Sequence, residues 1–195
     1  MKNLKILSLL FILTIAFSSC SNDDDSTPEP INEEEVITTV TVTLTPETGA
    51  TVILTSQDLD GDGPNAPIID VEGALQAGMS YSGSIVLENE TETPAELINE
   101  EIEEEADEHQ FFYQIGGGLD ATVTYDDNED DYLDNDNTNP VGLEFSLVAG
   151  TASSGQFTVT LRHEPNKDAE GVSDGDITNA GGESDITQTF DLEIE

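Results

Sequence analysis

The chain has no tryptophan, a single cysteine and only four basic residues among 195. Each shortage excludes something. One cysteine, Cys20, cannot close an intramolecular disulfide, so the fold must hold without covalent staples. Four basic residues against 43 acidic ones exclude nucleic acid as a partner, because affinity for it comes mainly from neutralising phosphates. After Cys20 no apolar run approaches the ~20 residues that a membrane-spanning helix needs. No glycine-rich loop leads from a strand into a helix to cradle phosphate, and no nucleophile-elbow motif occurs. Gly116-Gly117-Gly118 lies between two strand-like runs and reads as a turn. No catalytic residue is assigned, and the chain is not read as an enzyme.

What is present begins at the N-terminus. Lys2 and Lys5 start an apolar run over 6–17, broken only by Ser8 and Thr14, and Ser18 and Ser19 follow. That is the three-part layout of a secretory signal, here 1–19. Phe17-Ser18-Ser19-Cys20 resembles a bacterial lipobox, with Phe where Leu is usual. The resemblance implies cleavage before Cys20 and acyl chains on its sulfur. At ~0.8 kcal/mol per buried methylene, two or more chains anchor a protein stably. Ser21-Asn22-Asp23-Asp24-Asp25 resembles the surface-export signal of Bacteroidetes lipoproteins. Residues 20–35, with Pro28, Pro30 and Glu33-Glu34-Glu35, have the composition of an acidic flexible tether. The expectation is a lipoprotein of the outer membrane, at the cell surface or facing the periplasm. Losing both leader lysines takes the formal charge of −39 to −41. Self-repulsion of that size needs cations to screen it, which points to a salty or divalent-rich setting.

Residues 36–195 form one domain-sized stretch. Apolar residues recur mostly at period two. Strand candidates are 36–44, 50–55, 68–71, 81–87, 111–115, 121–125, 141–148, 156–163 and 186–194. They are rich in Thr, Val, Ile, Phe and Tyr and separated by Gly, Asn, Asp and Pro. In the first, Val36, Val40, Val42 and Leu44 share the core face. The expected fold is mainly β: an antiparallel, Ig-like sandwich. One amphipathic helix is expected at 94–109. Thr93 would cap it, Pro94 would take its first position, and Glu96 would complete a capping box. Ile98, Ile102, Ala106 and His109 would form its apolar face.

Four segments, EEEVITTVTVTLT (33–45), LTSQDLDGDGPN (54–65), EHQFF (108–112) and TLRHEPNK (160–167), resemble a group of short acidic flavobacterial lipoproteins. Such proteins are often assigned to the type 1 periplasmic-binding superfamily. That assignment implies two α/β lobes. One helix in a chain of this length does not supply them, and the β pattern takes precedence.

Four constellations are candidates for chemistry. Asp58, Asp60 and Asp62 alternate into Gly63, as at the start of an EF-hand loop, and Asp70 follows. Alternate carboxylates on a tight turn suit Ca²⁺, although Ile69 stands at the twelfth position where a bidentate Glu belongs. Asp-Gly is equally plain turn chemistry. A second oxygen-rich stretch, 126–139, is either a calcium loop or a solvated one. His109 and His163 end apolar stripes, one on the helix and one on a strand. Sharing a ligand, they would suit Zn²⁺, Cu²⁺ or haem iron; apart, they are packing residues. Arg162 and Lys167 are the two cations left after the leader and serve either as structural ion-pair partners or as an anion-docking point. The leading functional expectation is a ligand-binding or transporter-accessory lipoprotein, with metal or haem as ligand. The alternative is a calcium-stabilised structural or adhesive surface module.

Overall fold

The computed structural model describes residues 35–61 and 63–195. The leader, Cys20 and the tether up to residue 34 lie outside the described residues, as does Asp62 of the calcium candidate. Among the described residues no helix is long and apolar enough to cross a membrane.

Ten strands and one α-helix make up this part. The strands are β1 (Thr39–Pro46), β2 (Val52–Gln57), β3 (Ile68–Glu72), β4 (Ser80–Asn89), β5 (Glu96–Leu97), β6 (His109–Gly116), β7 (Ala121–Tyr125), β8 (Glu144–Ala149), β9 (Ser153–His163) and β10 (Glu183–Ile194), and the helix is α1 (Asn99–Glu104). Seven strands form one sheet in the order β3-β2-β1-β4-β8-β7, with β5 beside the far end of β4; the other sheet is β10-β9-β6. Every pairing within the two sheets is antiparallel. The fold is the expected mainly-β sandwich.

Alternation builds the core. In β4, Tyr81, Gly83, Ile85 and Leu87 are buried while Ser82, Ser84 and Val86 between them face out. From β1, Val40, Val42 and Leu44 meet Phe157, Val159 and Leu161 of β9 in one apolar cluster. β-branched threonines occupy much of the outer faces, where they suit a pleated surface. Phe111, Phe112, Phe145, Phe157 and Phe190, all the phenylalanines beyond the leader, are fully buried. A chain without tryptophan thus spends its large rings on the interior. Phe112 points to the other face of the small sheet, where Val172 and Ala180 of the 164–182 segment cover it.

Two details depart from the sequence reading. First, Val36 is 56% exposed. The alternation breaks at Thr38 and Thr39, both buried, and Glu35 is turned inward with its side chain only 2% exposed. The compact unit runs Glu34–Glu195, so Glu35 belongs to the domain and not to a tether. Second, α1 spans six residues instead of the expected 94–109. Thr93-Pro94 is a cis peptide rather than a helix start, and Glu96 and Leu97 pair with Asn89 and Glu88 of β4. Asn99 then continues that edge through its side chain, accepting from Leu87 N (2.8 Å) and donating to Ile85 O (2.9 Å). Like-charged glutamates four apart, such as Glu100 and Glu104, oppose a longer helix. Ile98, Ile102 and Ala106 are still buried, as their spacing implies. His109, however, is the first residue of β6 and not the end of a helix.

Candidate metal centre

β6 and β9 pair so that His109 stands opposite His163. His163 shares a strand face with Leu161, Val159 and Phe157, and His109 shares one with Phe111. Both imidazoles therefore point between the sheets, at one end of the core. Their rings stack with centroids 4.6 Å apart and planes 19° from parallel. Cross-strand pairing brings them together, not a helix packed across a sheet.

Two carboxylates complete the cluster, and neither was identified as a site residue from sequence. Glu35 enters from the segment leading into β1. Asp185 comes from a break in the β9–β10 register: Ser184 pairs with Arg162 and Ile186 with Leu161, leaving Asp185 as the extra residue. Such a bulge re-aims a side chain, and the Asp185 side chain is fully buried against both rings. Gly182 holds the chain entering β10 close to the end of β9. It has φ +65°, and a Cβ there would overlap the His163 carbonyl oxygen, so only glycine fits.

His109 Nδ1 lies 3.2 Å from the Glu105 carbonyl oxygen. A proton on Nδ1 satisfies that contact and leaves Nε2 with its lone pair. Nε2 is 3.2 Å from Glu35 Oε1 and 4.0 Å from Asp185 Oδ2. It is buried, yet aligned for a hydrogen bond with neither. His163 Nδ1 is 3.9 Å from Asp185 Oδ1, and its Nε2 is 3.8 Å from Glu108 Oε2 at the half-exposed rim. One donor atom from each of Glu35, His109, His163 and Asp185 falls within 4.8 Å of the others. A tetrahedral ion with bonds of about 2.0–2.1 Å spaces its ligands about 3.3 Å apart, so closure shortens their separations by up to about 1.5 Å.

The electrostatics follow from this packing. Burial disfavours the charged form of His109, but the nearby Glu35 carboxylate, the Glu105 carbonyl and the charge of Asp185 outweigh it and raise its pKa above 6.5. Burial pushes Glu35 up, but His109, its own backbone amide and the charge of His163 hold it below the ordinary carboxylate value. Glu101 is raised by burial and by the charges of Glu35, Glu105 and Glu96. Two protonated rings at 4.6 Å would repel by about 4 kcal/mol at an effective dielectric of about 20.

A cavity of about 520 Å³ beside the centre is lined by Glu35 and Asp185 together with Thr38, Ser56, Ser184 and Thr187, and by Asp58, Gly61 and Pro67.

The other sequence candidates lie elsewhere. Asp58 and Asp60 sit on the 58–67 turn, where Asp58 accepts the Asp60 amide (3.2 Å) and Asp60 accepts the Asn65 side-chain amide (2.7 Å). The Asn65 contact holds Asp60 below the ordinary carboxylate range. Asp70 is an exposed residue of β3 opposite Thr55. In the 126–139 loop, the Asp127 carboxylate binds inward, to the Gly142 and Glu144 amides and the Tyr132 hydroxyl. Asn128 and Asp131 cap a short 3-10 turn. Lys167 is buried against Glu129 (3.1 Å) and donates to the carbonyls of Ala106 and Pro140. That is the structural ion-pair role. Arg162 donates to Ser184 on the outer face of the small sheet.

No known protein family, curated protein or solved structure matches this chain.

Proposed function

We propose that the chain is an envelope lipoprotein whose β-sandwich captures a divalent transition-metal ion of the zinc or copper class, as a binding module or as an accessory to an outer-membrane transporter. The observation that supports this most is the buried His109 Nε2. It faces two carboxylate oxygens without hydrogen-bond alignment, while a backbone carbonyl engages the other ring nitrogen. When the ring is neutral its Nε2 lone pair opposes the carboxylate lone pairs, and a metal cation between them relieves that as a proton does in the metal-free protein. Fixing a histidine through its second nitrogen is how proteins orient metal ligands. With both rings neutral, one divalent ion balances the two carboxylates. Two nitrogens and two oxygens suit zinc or copper(II). The stacked rings favour a bare ion over haem, since no macrocycle fits between centroids 4.6 Å apart. A cavity borders Glu35 and Asp185 on the solvent side of the cluster. The lipobox and acidic spacer supply the membrane anchor.

The test is calorimetric titration and metal analysis of the mature chain with Zn²⁺ and Cu²⁺. One tightly bound ion is expected, absent in His109→Ala and His163→Ala and retained in Asp58→Ala/Asp60→Ala. At a free-ion concentration 100 times Kd, stabilisation should be about 2.7 kcal/mol, a rise of roughly 5–11 °C in Tm for a domain of this size. Equal binding by wild type and the histidine variants would refute the reading. Under the alternative, a calcium-stabilised surface module, Ca²⁺ raises Tm beyond Na⁺ at matched ionic strength, and the Asp58→Ala/Asp60→Ala pair abolishes that rise.

A further inference from the structure

Glu35 presents two oxygens, and the centre described above uses one. Oε1 faces His109. Oε2 is also buried and has no hydrogen-bond partner. Glu35 also forms a second set with Glu101 and Glu105, again with one ligand oxygen each within 4.8 Å of the others. Glu101 and Glu105 are four residues apart and so share one face of the helical turn. Glu105 is also the residue whose carbonyl holds His109 Nδ1, which places the second set directly behind the first.

We propose that Glu35 bridges two cations: the transition metal between the histidines, and a second ion held by Glu35, Glu101 and Glu105. The second ion belongs to the hard class of Mn²⁺, Mg²⁺ or Ca²⁺. This extends the metal-binding reading and rests on it. Three carboxylates with no nitrogen among them select hard cations, whereas the histidine centre selects softer ones. A bridging carboxylate sets two ions about 3.5–4 Å apart. The second ion also answers a problem in α1. Its last turn carries no basic residue, so glutamates crowd the negative end of the helix dipole and repel each other at four-residue spacing. A cation at Glu101 and Glu105 offsets both effects and ties α1 to the segment leading into β1.

The experiment loads the mature chain with one equivalent of Zn²⁺, adds Mn²⁺ at physiological ionic strength, and measures both metals after dialysis. Glu101→Gln/Glu105→Gln is compared with Glu100→Gln/Glu103→Gln, which removes the same charge from the same helix. Wild type and the second variant are expected to keep one zinc and one manganese. The first variant is expected to keep the zinc and lose the manganese. With Cu²⁺ in place of zinc, the adjacent manganese should broaden the copper EPR signal, and only where Glu101 and Glu105 are intact. Manganese retained by the first variant, or lost equally from both variants, overturns the proposal. One zinc with no manganese in wild type overturns the bridge alone. No zinc in wild type overturns the parent reading with it.

Discussion

Lys167→Met isolates a single ammonium group. Methionine keeps most of the unbranched stem, so apolar packing is largely preserved and the charge is what disappears. Lys167 is 4% exposed and Glu129 is 1% exposed. The ammonium lies 3.1 Å from Glu129 Oε1 and 3.1 Å from the Pro140 carbonyl, and it also serves the Ala106 carbonyl. Glu129 Oε2 has no hydrogen-bond partner of its own. Removing the ammonium therefore strands a buried carboxylate and leaves two carbonyls without this donor. Breaking a buried pair from one side costs about 3–5 kcal/mol. For a domain of this size that is a fall of roughly 6–20 °C in Tm. Burial works against the charge, pulling the Lys167 pKa below 10.5 despite Glu129, so the pair is not a large net source of stability. The penalty comes from the orphaned partner. Lys167→Met/Glu129→Leu should accordingly recover part of the loss, though not the share owed to the two carbonyls, at about 1–3 kcal/mol each. Reversible thermal and urea unfolding of both variants measures this. A single variant within 2–3 °C of wild type, marked as about 1 kcal/mol on the same scale, would refute the reasoning.

Three further outcomes are expected. Because the His109 pKa is raised above 6.5, its stabilising contact is fully present below 6.5 and is lost as pH rises through the raised value; metal-free wild type should soften across that window while His109→Gln does not, as followed by melting at stepped pH. Zinc affinity should move the other way, falling by up to about tenfold per pH unit per displaced proton as the pH drops below that value, which titration at several pH values reads directly. Cys20→Ala should release the protein from membranes, because acylation is the anchor the sequence offers; a variant that still sediments with membranes would remove the lipoprotein reading.

The sheets were legible because most strands bury one face. Period-two alternation in 81–87 or 156–163 is a direct imprint of that burial, whereas β3, which buries no residue, was marked only by its Ile and Val content. The helix was less legible. Ile98, Ile102 and Ala106 do face the core, but burial at spacing four does not require a long helix. The edge of β4 takes Glu96 and Leu97 by backbone hydrogen bonds, and a capping motif carries no information about that neighbouring strand, which ends at Asn89.

The metal centre divides along the same line. His163 could be placed on the core face because its strand alternates cleanly, and both histidines could be seen to end apolar stripes. Their contact depends on the β6–β9 register, which has no local signature. Glu35 and Asp185 were invisible for a different reason: each breaks a rule. Alternation predicts Val36 inward, and Glu35 goes there instead. The β9–β10 ladder leaves Asp185 out of register, and that slip is what lets an acid reach the core. Among the chain's 43 acidic residues, these two carry no signal as residues; they carry it only as the two driven into the interior beside a pair of histidines. A fold that needed only stability would place apolar side chains at both positions. The cost of burying carboxylates there is borne at the one end of the sandwich where a cation would offset it.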